Sequence, residues 1–73
     1  MMRYAVVFEK AATNWAAYVP DLPGCITTGR TLEETKRNMR EAIQLQLETM
    51  SEVGDPIPQP SAKVGFVQLE PVA

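Results

Sequence analysis

The stretch Trp15-Ala16-Ala17-Tyr18-Val19-Pro20-Asp21-Leu22-Pro23-Gly24-Cys25-Ile26-Thr27-Thr28-Gly29-Arg30-Thr31 decides the fold, because it joins two strands to a helix through specific turn chemistry. Trp15 to Val19 is aromatic and β-prone and reads as a strand. Pro20 and Pro23 lack the amide donor that a central strand requires, and Pro23-Gly24 suits the two central positions of a type II turn. Cys25 to Thr28 returns as a short strand, closed by Gly29, where a backbone change precedes the helix. Thr31-Leu32-Glu33-Glu34 then forms a capping box: the Thr31 hydroxyl receives the Glu34 amide while the Glu34 carboxylate reaches back to the Thr31 amide.

Upstream, Tyr4 to Glu9 is a first strand, with Tyr4, Val6 and Phe8 on one face and Ala5, Val7 and Glu9 on the other. Lys10 to Asn14 is a hairpin loop in which Asn14 can take positive φ. Downstream, Leu32, Lys36, Met39, Ile43, Leu47 and Met50 recur at three- and four-residue steps, with Ala42 and Val53 at the margin, and form the sheet-facing stripe of the helix. Glu33 with Arg37, and Arg37 with Glu41, are spaced for exposed ion pairs, and Gly54 supplies a C-cap. Asp55-Pro56-Ile57-Pro58-Gln59-Pro60 reads as an extended connector, and Lys63 to Leu69 as a last strand. The expected order is β-β-β-α-β, an α+β fold with a small antiparallel-type sheet and one helix on one of its faces.

A chain of 73 residues holds one domain. A core of this size buries only about 60% of the unfolded surface and gains from oligomerisation, while the single Cys25 excludes an internal disulfide. A dimer or tetramer is therefore expected. The net charge of -2 argues against direct nucleic-acid binding, which needs an excess of Lys and Arg, and suits a basic partner. No apolar run approaches the roughly 20 residues of a membrane span, and the first residues lack a secretory pattern, so no membrane association and a cytoplasmic location are expected.

Trp15 to Thr31, followed by Glu33, Glu34, Asn38, Glu41, Ala42 and Ile43, resembles the HicB-type antitoxin domain, above all in the seven residues Val19 to Cys25. The resemblance implies a partial RNase H-like fold that binds and neutralises a small basic, messenger-RNA-cleaving toxin of the HicA type. Two departures stand out. Ala11-Ala12-Thr13-Asn14 occupies a loop that commonly contains glycine, and the residues after Gly54 carry three prolines and one strand where many members append an operator-binding segment. No separate DNA-binding domain is expected.

An RNase H-like fold also raises the alternative of a metal-dependent nuclease. Glu9, Asp21, Asp55 and Glu70 show no local metal-ligand spacing, and the chain has no His to act as base or ligand, so no catalytic residue, metal or cofactor is assigned. Cys25 lacks an activating base and reads as a small buried hydrophobe. Asp21 is suited either to capping backbone amides in its turn or to touching a partner. Candidate partner-binding residues are Trp15, Tyr18, Asp21, Leu22, Glu41, Leu45 and Glu48; Leu45 is an apolar residue set among the acids of the outer helix face. Because one helix covers one sheet face, either Tyr4, Val6 and Phe8 or Ala5 and Val7 should meet another subunit or partner. A further alternative is an orphan oligomeric module that has no toxin.

Overall fold

A computed structural model describes residues 2–72. Its elements are β1 (Val7–Lys10), β2 (Trp15–Tyr18), β3 (Ile26–Gly29) and α1 (Leu32–Val53). The strands form one antiparallel sheet in the order β1-β2-β3, with Val7 opposite Tyr18 and Tyr18 opposite Ile26. β1 is shorter than the expected Tyr4 to Glu9. Extending its register would set Ala5 opposite Pro20, which has no N–H to give, so the ladder stops.

The turn chemistry holds. The Leu22 amide donates to the Val19 carbonyl and the Cys25 amide to the Leu22 carbonyl, each at 3.1 Å, and Gly24 adopts φ 80, as a type II turn over Pro23-Gly24 requires. The loop before β2 closes through the Ala11 amide on the Asn14 carbonyl at 2.8 Å. Asn14 does not use positive φ: among the described residues only Gly24 and Gly54 do so.

Thr31 caps α1, its Oγ1 accepting the Glu34 amide at 3.0 Å. The return arm of the box differs from expectation, because the Glu34 carboxylate accepts from the Arg30 amide at 3.2 Å instead of from Thr31. At the other end Gly54 is left-handed, with Asp55 N–H on Met50 O and Gly54 N–H on Ser51 O, a Schellman cap.

Ala17, Val19, Leu22, Cys25 and Met39 form the buried core, flanked by Tyr4, Val6, Phe8, Ala42, Ile43 and Leu47. The sheet-facing stripe of α1 corrects the expected one at two points. Lys36 is exposed, and the position facing β3 is Thr35, fully buried, with its hydroxyl donating to Thr31 O at 2.7 Å. Val53 is also exposed, in the last turn, beyond the reach of the sheet. Gly29 meets Thr35 so closely that an added Cβ would lie 2.5 Å from Thr35 Oγ1 and 2.8 Å from its backbone nitrogen. Gly29 therefore serves close approach of backbone to helix, not an unusual φ. The expected Glu33–Arg37 and Arg37–Glu41 pairs do not close; among the described residues the ion pair is Arg30–Glu34 at 3.9 Å.

The segment after α1 returns along the sheet end nearest Tyr4. The Tyr4 hydroxyl donates to Pro58 O at 2.6 Å, and Asp21 receives Ser61 and Ala62. Beyond that point the expected strand Lys63 to Leu69 is not formed, and residues 63–72 are all exposed. A β segment needs a neighbouring ladder for its backbone groups, and among the described residues none pairs with it. The radius of gyration, 14.7 Å, accordingly exceeds the ~11 Å of a compact chain of this length, with one principal axis drawn out to 54 Å.

Candidate protein-binding surface

Strand alternation places Tyr4, Val6, Phe8 and Ala17 on the helix side, which leaves Ala5, Val7, Tyr18 and Ile26 on the open side. Val7, Tyr18 and Ile26 lie in one cross-strand row, with Ile26 67% exposed. Ile26 was not among the candidate residues, although its alternation with buried Cys25 signals an outward position.

The candidate residues separate into distinct settings. Trp15 shares the helix-side parity of Ala17 and is half-buried opposite Gly29, whereas Tyr18 is exposed on the open side. Leu22 is completely buried, so it supports the turn from inside and presents no surface of its own. Leu45 is 66% exposed on α1, one helical turn from both Glu41 and Glu48, which are also exposed.

Leu45 and Ile26 line one groove between α1 and the start of β3, together with Cys25, Ala42 and Met50. Ile26 also borders a second concavity with Tyr18, Pro20 and Pro23. Tyr18, Ile26 and Leu45 thus form one apolar path around the β3 edge, from the open sheet face to the outer helix. Gln46 braces it by donating to Pro23 O at 3.4 Å.

Charge is segregated along α1. Lys36, Arg37 and Arg40 line one concavity in its first half together with Glu41, while Glu48 and Glu52 follow, and the last turn contains no base. Acids near a helix C-terminus add to the negative pole of the macrodipole, a like-charge arrangement that costs stability in the isolated fold.

Asp21 acts as a clasp. Its Oδ2 accepts the Ser61 amide at 2.9 Å and the Ala62 amide at 3.0 Å, and its Oδ1 accepts the Ser61 hydroxyl at 2.8 Å. The Ala62 and Ser61 amides, then the Ser61 hydroxyl, hold its carboxyl below the usual carboxylate range. Burial, and secondarily the Asp21 charge, push the Tyr4 hydroxyl upward. The carboxylate therefore caps amides some 40 residues away in sequence, not those of its own turn. Burial also raises the Cys25 thiol, whose Sγ lies 3.9 Å from Met39 Sδ. Among the described residues no three of His, Cys, Asp and Glu converge as metal ligands would, and no helix is long and apolar enough to cross a membrane.

Residues 4–71 match the family model of the HicB-like antitoxin of bacterial toxin-antitoxin systems. The chain is 39% identical over 62 residues to Antitoxin HicB 2 of Photorhabdus laumondii, an alignment covering 85% of this chain and 45% of that protein. It is 38% identical over 58 residues to an uncharacterized protein of the rep-hol intergenic region of Haemophilus phage HP1, covering 80% of this chain and 44% of the relative. A UPF0150 protein of Thermoplasma acidophilum is 35% identical over 63 residues, with 85% and 91% of the two chains aligned. The chain thus spans less than half of the first two relatives and nearly all of the third.

Proposed function

The chain belongs to the HicB-like antitoxins of bacterial toxin-antitoxin systems, and from that membership we propose that it neutralises a small basic HicA-type toxin by stoichiometric binding. The toxin's messenger-RNA-cleaving surface is covered, and this chain performs no chemistry of its own. The observation that supports the reading is the apolar path Tyr18–Ile26–Leu45, with the exposed Glu41 and Glu48 one helical turn from Leu45. Acidic residues around an apolar anchor speed encounter with a basic protein, and the apolar contact sets the rate of release. The chain works in the cytoplasm as a homo-oligomer, a dimer or tetramer, and binds no nucleic acid by itself.

The test is titration of the chain with a small basic HicA-type toxin, by calorimetry and by protection of a reporter messenger RNA. Leu45→Asp puts a charge in the groove and is expected to weaken the complex by about tenfold or more, in the range of an interface anchor. Its circular dichroism should match that of the wild type, because Leu45 is exposed. Unchanged affinity and unchanged protection of the messenger RNA would remove this helix face from the interface.

A further inference from the structure

The sheet ends in two different edges. Val19 N–H bonds Cys25 O, so the odd-numbered residues of β2 bond β3 and the even-numbered ones bond β1. It follows that Ile26 and Thr28 turn their backbone groups out from β3, and that Val6, Phe8 and Lys10 turn theirs out from the β1 side. The β3 edge is blunted, because Asn38 Nδ2 donates to Thr28 O at 2.9 Å. Along β1 the free groups of Phe8 and Lys10 have no such cover among the described residues.

The same molecule carries an unpaired strand-forming segment. After the Asp21 clasp, Val64, Phe66, Val67, Leu69 and Val72 are each 70–96% exposed. The arm leaves beside Arg3, Tyr4 and Ala5, where Ala62 and Val64 line a shared concavity, yet it runs outward and its own β1 edge stays empty. At about 3.3 Å per residue, residues 63–72 span roughly 30 Å, more than the length of a four-residue strand.

We infer that residues 64–69 of one copy add as a fourth strand along the free β1 edge of a second copy, and reciprocally, making a two-fold strand-exchanged dimer. Each copy holds one unfilled edge and one unpaired arm, so two copies satisfy both and the assembly closes. Each arm carries five exposed apolar side chains, Val64, Phe66, Val67, Leu69 and Val72, that such an interface would bury. The inference rests on the self-association proposed above and not on the toxin.

The experiment uses the purified full chain without any toxin, so failure of the antitoxin reading does not affect it. Sedimentation should give a mass of two chains or a multiple of two. Mixed dimers of labelled and unlabelled chains should show isotope-filtered NOEs between residues 64–69 of one copy and Val6 to Lys10 of the other. The double variant Phe66→Asp/Leu69→Asp should weaken association by about 100-fold or more, as expected for loss of buried anchors, and should leave the Phe8 and Lys10 amides unprotected from exchange. Its circular dichroism should keep the helical signal of α1, since both residues lie outside the core. A single-chain mass for the wild type, NOEs confined within one copy, arm-to-arm NOEs without β1, or a double variant that associates as the wild type does would each overturn the inference.

Discussion

Replacing Gly29 by Ala tests how the helix is seated on the sheet. The new methyl would sit 2.5 Å from Thr35 Oγ1, 2.8 Å from Thr35 N and 3.0 Å from Thr35 Cα. A side-chain rotation could relieve only the first contact, because the other two involve backbone in the first turn of α1. Overpacking of this kind costs about 1–3 kcal/mol. Displacing the Thr35 hydroxyl from Thr31 O adds about 1 kcal/mol for the lost hydrogen bond. The expected total of roughly 2–4 kcal/mol is large against the ~4–11 kcal/mol available to a domain of this size. Urea unfolding at fixed protein concentration, followed by the ellipticity of α1, should show a lower midpoint at similar slope. Adding Thr35→Ala should restore only part of the loss. Gly24→Ala is the control: open space surrounds that site, so its cost of about 1–2 kcal/mol comes from the left-handed φ alone. If Gly29→Ala unfolds within 0.5 kcal/mol of the wild type, about the scatter of ordinary surface changes, the close approach does not govern the packing.

Further outcomes follow from other residues. The Asp21 carboxyl ionises below its unfolded value, so its contribution is complete above about pH 4 and is lost as the pH falls through the folded value. Amide resonances of Ser61 and Ala62 should shift together on acidification below that point, and Asp21→Ala should show the released positions already at neutral pH. Cys25 should resist a thiol reagent in the native protein and react at once in denaturant, because burial excludes the reagent and raises the thiol pKa. Rapid native labelling would show that the turn over Pro23-Gly24 opens.

What could be read from the chain was mostly local chemistry. Pro23-Gly24, the Thr31 cap and Gly54 each bring their own geometry, and each appears where expected. At Lys36 the sequence is ambiguous because steps of three and four are both helical, and only packing against Gly29 selects Thr35. The partner of the Asp21 carboxylate lies 40 residues on and leaves no local pattern. Alternation in Lys63 to Leu69 records an ability to pair, but not a neighbour to pair with. Leu45, an apolar residue among acids, and Tyr18 are exposed, as a contact residue has to be. Ile26 is exposed and Leu22 is the buried pin of the turn, a distinction that β-propensity and hydrophobicity alone do not make.

The charge order along α1 gives the molecule an electrical polarity. From Arg30 to Arg40 four bases outnumber two acids, whereas from Glu41 to Asp55 there are four acids and no base. The 22-residue helix extends this separation over roughly 33 Å, so the side-chain dipole and the backbone dipole are parallel and reinforce each other. A cationic protein approaching within about a Debye length, near 8 Å at physiological salt, experiences a torque as well as an attraction. It is turned toward the Glu48 end before any surfaces touch, and rising ionic strength would erase that alignment while leaving the apolar contacts of a formed complex intact.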